Sequence, residues 1–66
     1  YNLDNFEQCI SDLTKAIQIK ENENSYFIRG LAYINSGQKE KGCKDLSKAG
    51  ELGNTIAYEK IKKNCN

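Results

Sequence analysis

Histidine, tryptophan, methionine and proline are all absent from this sequence of 66 residues. Without histidine, the chain lacks the commonest general base and the commonest side-chain ligand for transition metals. The three cysteines, Cys9, Cys43 and Cys65, are far apart and form no C-x-x-C pair, so zinc binding and thioredoxin-type redox chemistry have no support. We therefore expect no catalytic residue, no cofactor and no metal, and the sequence predicts a protein that is not an enzyme.

An excess of charge of one sign is also missing, since 10 basic residues are balanced by 9 acidic ones. With no basic stripe interleaved with aromatics, nucleic acid is not an expected partner. No apolar run approaches the roughly 20 residues that span a bilayer, so a membrane is not expected either. Because the sequence starts at Tyr1 and not at a methionine, we expect either a fragment or a processed form of a longer protein. The cytoplasm is the favoured compartment, with export left open if a signal precedes Tyr1.

Four helical segments can be read from the spacing of the apolar residues, and the lack of proline favours unbroken helices. The first opens at Asp4 and ends before Glu21, the second covers about 24–36, the third covers about 38–52, and the fourth follows Asn54. Nothing alternates with period two over a useful length. The predicted fold class is therefore all-α.

Start and stop signals support these bounds. Asp4 and Glu7 form a capping-box pattern, in which each side chain accepts a hydrogen bond from an exposed amide of the first turn. Gly37 and Gly53 stand where a helix commonly ends on a left-handed residue. Asn54 is the expected N-cap of the fourth helix.

An internal repeat indicates the architecture. Moving the sequence by 33 residues, from Glu7 to Glu40, lays residues 7–19 on residues 40–52 with Glu, Asp, Leu, Lys and Ala coinciding. At an offset of 32 residues, Tyr26 falls on Tyr58. The third helix is thus a copy of the first, and the fourth begins like the second. Self-similarity at this period is the signature of a stacked helix-pair array.

The repeated unit resembles the tetratricopeptide repeat. The residues that carry the resemblance are a set of large and small side chains at fixed spacing: Tyr26, Gly30, Ala32 and Tyr33 in the second helix, then Gly42, Leu46 and Ala49 in the third. Lys39 departs from the pattern, because the family has an aromatic residue there. The resemblance implies an α–α superhelix with residues 1–23 as helix B of a partial first repeat, 24–53 as a complete repeat, and 54–66 as a C-terminal capping helix.

A protein–protein interaction scaffold is the function that the resemblance implies, with a peptide or helix bound in an apolar groove on helix two. The groove candidates share one helix and are Phe27, Ile28, Leu31, Ile34 and Asn35. Phe27, Leu31 and Ile34 form a stripe that we expect to lie away from helix three. Three occupants of this face remain open: a partner, a preceding helix, or a second copy in a homo-oligomer. The alternative function is a structural cap or self-association module of a longer array.

Three contacts are also predicted. Gly30 should face Gly42 and Ala49, because small residues let two helices approach closely. Arg29 either pairs with a carboxylate of helix three such as Asp45 or extends into solvent. The ends that carry Cys43 and Cys65 should lie near each other, but helix axes 8–10 Å apart disfavour a bridge, so we predict free thiols.

Overall fold

The computed structural model describes residues 6–65, which form four α-helices. Their bounds are α1 Phe6–Ile19, α2 Glu23–Asn35, α3 Lys39–Glu51 and α4 Thr55–Asn64. No strand occurs within this part of the chain, so the predicted all-α class is confirmed. The predicted capping pair of Asp4 and Glu7 depends on Asp4, which lies outside the described residues.

The helix ends follow the predicted signals. Gly37 and Gly53 have φ angles of 87° and 115°, in the left-handed region that favours glycine. Asn54 is the N-cap of α4, where its side chain accepts a hydrogen bond from the Ala57 amide at 3.3 Å. Asn22 caps α2 in the same way, through the amide of Asn24 at 2.7 Å. These short connections keep consecutive helices adjacent.

The helices pack in chain order: α2 contacts both α1 and α3, and α4 contacts α3. The core lies where α2, α3 and α4 meet, around Tyr26, Leu46, Ala49 and Ala57. The last three of these are 0 % exposed, so they contribute their full apolar surface to stability. The side chain of Ile17 from α1 packs against the same cluster.

Two glycines set the spacing of α2 and α3. A Cβ atom on Gly30 would lie 3.0 Å from the Gly42 carbonyl oxygen and 3.0 Å from Cγ of Leu46. A Cβ atom on Gly42 would lie only 2.5 Å from the Gly30 carbonyl oxygen. The predicted facing of Gly30 and Gly42 is thus confirmed, but the second near neighbour of Gly30 is Leu46 rather than Ala49.

A disulfide joins Cys43 of α3 to Cys65, with the two Cα atoms 6.1 Å apart. The prediction of free thiols is therefore wrong for these two residues, although Cys9 is free. The prediction used the distance between helix axes, which applies to residues in the middle of a helix. Cys65 is the C-cap of α4, where the chain leaves the helix and its Cα comes within the roughly 7 Å that a bridge needs.

Candidate interaction surface of α2

A small apolar cleft lies between the start of α1 and the second half of α2. It has a volume of about 110 Å³ and is lined by Phe6, Ile28, Leu31, Ala32 and Asn35. Phe6 and Ala32 are only 8 % and 5 % exposed. Asn35, at the last position of α2, is exposed. The cleft is therefore an apolar depression with a polar amide group at one end.

The structure assigns the predicted groove residues to two surroundings. Ile28, Leu31 and Asn35 line the cleft. Phe27 and Ile34 do not line it, and all three residues of the predicted stripe, Phe27, Leu31 and Ile34, pack against the core cluster. Leu31 is therefore the one residue of the stripe that both contacts the core and lines the cleft.

Ile34 corrects the expectation that this stripe lies away from α3. A Cβ atom on Gly42 would lie 2.5 Å from Cγ1 of Ile34, so the isoleucine packs directly over that glycine. The physical reason is the absence of a side chain on Gly42. The space left there admits a residue of α2 that lies one turn beyond Gly30.

Two cleft residues were not among the sequence-based candidates. Phe6 comes from α1, and Ala32 is buried between neighbours on α2. A cleft between two helices takes part of its lining from each, so the periodicity of α2 alone could not identify Phe6. The available signal was its position at the start of the apolar spacing of α1.

A charged network holds α2 in place behind the cleft. Arg29 donates from Nε to Oδ2 of Asp45 at 2.6 Å and from Nη2 to Oδ1 at 2.8 Å. Its Nη1 donates to Oγ1 of Thr14 at 3.1 Å, so one side chain links α1, α2 and α3. The bidentate hydrogen bonding to Asp45 raises the pKa of Arg29, and the guanidinium stays charged. Of the two roles left open for Arg29, pairing with Asp45 is confirmed.

Two tyrosines flank the guanidinium. Cζ of Arg29 lies 5.5 Å from the ring centre of Tyr26 and 5.7 Å from that of Tyr33, within the range of cation–π attraction. Oη of Tyr26 donates to Oε2 of Glu21 at 2.7 Å, and this hydrogen bond, together with burial, raises the pKa of Tyr26. Arg29 and Tyr26 are therefore both anchored by hydrogen bonds, Arg29 to α1 and α3 and Tyr26 to the connection between α1 and α2.

Within residues 6–65, none of the helices has the length and apolar character needed to cross a bilayer.

α2 and α3 are antiparallel and approach each other through two facing glycines, Gly30 and Gly42. The preceding helix α1 resembles α3 in sequence, and the following helix α4 begins like α2. This arrangement defines a helix-pair repeat protein. A model of the tetratricopeptide repeat family matches residues 23–52, the stretch that forms α2 and α3. The chain thus contains one tetratricopeptide repeat, at residues 23–52. Searches of curated proteins and of solved structures find no match. Tetratricopeptide repeats generally mediate protein–protein interaction and are typically scaffolds rather than enzymes.

Proposed function

We propose that this chain binds a peptide or a helix of a partner protein through the cleft on α2. The observation that supports this most is the composition of the cleft. Phe6, Ile28, Leu31 and Ala32 offer apolar surface, and the exposed Asn35 offers a polar amide beside it. This combination suits a side chain that enters the cleft while its backbone stays at the surface.

The volume of the cleft limits what it can hold. At about 110 Å³ it is well below the roughly 300–1,000 Å³ of pockets that enclose small-molecule ligands. It is closer to the ~150 Å³ of an engineered apolar cavity that admits one benzene. One leucine- or phenylalanine-sized anchor of a peptide is therefore the expected occupant, and neighbouring contacts on α2 would supply the rest of the affinity.

Asn35 supplies the second part of the mechanism. Its amide carries both donors and an acceptor, so it can bond to the backbone of a segment that lies across the end of α2. The hydrogen bonds of Arg29 to Asp45 hold α2 against α3. A surface that is already ordered loses less conformational entropy when a partner binds. This favours binding even when a single side chain anchors the partner.

Selection of peptides against the folded protein tests this proposal. We expect binders with a large apolar anchor, and we expect Ile28→Glu to weaken them by at least about tenfold, since burying an unpaired charge costs more than the roughly 1.4 kcal/mol of that factor. Ile28 lines the cleft and is not among the side chains packed on the core, so the variant should still fold. Ile56→Glu is the matched control, because Ile56 is 54 % exposed on α4. Selected peptides that bind both variants equally would contradict the proposal.

The alternative, a structural cap or self-association module, is supported by one feature of α4. At the offset that lays Tyr26 on Tyr58, Gly30 falls on Lys62, which is exposed. A lysine there prevents the close approach that Gly30 allows between α2 and α3, so α4 is suited to end a stack of helices. Light scattering separates capping from self-association: a monomer at all concentrations rules out self-association, and a dimer lost in Ile28→Glu assigns it to the cleft.

A further inference from the structure

Few apolar contacts hold α4 against α3. Of its 10 residues only Ala57 is buried, and Ile61 packs partly against the core cluster. The ring of Tyr58 lies over Gly50 but is 51 % exposed. A helix shorter than about 12–15 residues is marginal in water when it stands alone. The order of α4 therefore depends on how firmly it is held to α3.

Polar contacts add little to this hold. The Asn54 side chain accepts a hydrogen bond from an amide of the first turn of α4, and the Asn64 side chain donates to a carbonyl oxygen one turn back, so both bonds are local. Within residues 6–65, no salt bridge reaches α4. The pair of α2 and α3 differs, because two hydrogen bonds from Arg29 to Asp45 join those helices directly.

The two ends of α4 are fixed in different ways. Its first residue follows the short turn after α3, in which Gly53 has a φ angle of 115°. Its C-cap, Cys65, is bonded to Cys43 in the first half of α3, with the two Cα atoms 6.1 Å apart. This bridge closes a separation of 22 residues, so breaking it returns conformational freedom to that whole stretch. Without the bridge, the turn and the few apolar contacts are what remains to hold α4.

The bridge lies where a thiol reagent can reach it. Both of its cysteines are half-buried, and they line a surface depression together with Lys39, Glu40 and Lys44. The two ammonium groups attract an incoming thiolate and stabilise the thiolate that leaves, and the Glu40 carboxylate offsets part of this effect. The surroundings of the bridge therefore favour thiol–disulfide exchange.

We propose that the Cys43–Cys65 disulfide is a redox-sensitive latch on α4. Reduction by a dithiol frees α4 from α3, while the pair of α2 and α3 stays folded through contacts that do not involve the bridge. Release of α4 removes the Tyr58 ring from Gly50 and uncovers the side of α3 around that glycine. This device is separate from the cleft on α2 and does not depend on the function proposed for it.

The exchange proceeds in two steps. One thiolate of the dithiol attacks Sγ of either cysteine, which forms a mixed disulfide and releases the other cysteine as a thiolate. The second thiol of the reductant then displaces the cysteine that is still bound. The dithiol loses two electrons and becomes a disulfide, and its two protons end on the two cysteine thiols of the protein.

Amide hydrogen exchange measured by NMR tests the latch. The 66-residue protein carries Cys9→Ser, which removes the free thiol, and is compared in its oxidised form, after reduction with dithiothreitol, and after reoxidation. Reduction should speed exchange at amides of α4 such as Ile61 by at least about tenfold, because local opening becomes easier. Amides at the centre of α3, such as Leu46, should stay protected, and reoxidation should restore the protection of α4.

The matched control combines Cys43→Ser and Cys65→Ser in the same background. Its α4 amides should already exchange fast, and dithiothreitol should not change them. The proposal is overturned if the bridge of the folded protein resists dithiothreitol, if α4 exchanges at the same rate after reduction, or if α2 and α3 lose their protection together with α4. A response of the control to dithiothreitol would equally contradict it, because that variant has no bridge to reduce.

Discussion

The close contact of α2 and α3 predicts that Gly42→Ala destabilises the protein. Alanine is the better helix former by about 0.8–1 kcal/mol, so replacing a helical glycine by alanine stabilises a protein when the new methyl group has room. At Gly42 the new methyl group meets two atoms at 2.5 Å, the Gly30 carbonyl oxygen and Cγ1 of Ile34. The Gly30 carbonyl oxygen belongs to the backbone of α2, so it cannot move without a shift of the whole helix. The two helices must therefore separate by about 1 Å to reach ordinary van der Waals distance.

The size of the effect follows from these opposing terms. Overpacking of a tight core contact typically costs 1–3 kcal/mol, and the backbone obstacle at Gly42 places this site toward the upper part of that range. After the gain in helix propensity, we expect a net loss of about 1–2 kcal/mol in the free energy of unfolding. In a domain of this size each 1 kcal/mol lowers the Tm by roughly 4–8 °C.

Gly50→Ala in the same helix is the matched control. Its new methyl group would also be close to other atoms, at 2.6 Å, but those atoms are the ring of Tyr58. That side chain is 51 % exposed and can rotate away. We expect a change within about 1 kcal/mol, because the propensity gain offsets the displacement of the ring. Urea or thermal unfolding of the oxidised protein measures both variants. A Gly42→Ala protein as stable as the parent, or more stable, would refute the close α2–α3 contact.

Three further changes have expected outcomes. Cys65→Ser removes the bridge that closes a separation of 22 residues, so thermal unfolding should show a loss of about 3 kcal/mol, whereas Cys9→Ser should change little. Asp45→Asn leaves the largely buried Arg29 without its charge partner and should cost about 2–4 kcal/mol in urea unfolding. The pKa of Tyr26 is raised by its hydrogen bond to a carboxylate and by burial, so the native state keeps the phenol proton longer than the unfolded state does. Stability should therefore fall as the pH rises above the ordinary tyrosine pKa of about 10, and Tyr26→Phe should remove this slope.

Most of the helical framework could be predicted because its signals are local. Gly37, Gly53 and Asn54 end or begin helices through their own backbone and side-chain preferences, and the structure has each of them in that role. The contact of Gly30 with Gly42 was also predictable, since two small residues at matched positions permit close approach.

The disulfide and the shape of the cleft were harder to predict, because both depend on how helices end and cross. The bridge requires a Cα separation that is set by the last residue of α4, and an average axis distance does not give that value. Ile34 and Leu31 share a helical stripe and both pack against the core, yet Ile34 also packs over Gly42 whereas Leu31 also lines the cleft. The stripe identified the apolar residues of α2, and only the neighbouring helices decide which of them remain accessible.

The most direct test of the proposed function is the position of a bound peptide on the protein, mapped by amide chemical shifts in solution NMR. With a selected peptide that carries a large apolar anchor, we expect the main shift changes at Ile28, Leu31, Ala32 and Asn35, with smaller ones on α4. These shift changes should be absent when the Ile28→Glu variant is titrated with the same peptide. Shift changes centred on α4, or on the outer surface of α3, would contradict binding in the cleft on α2.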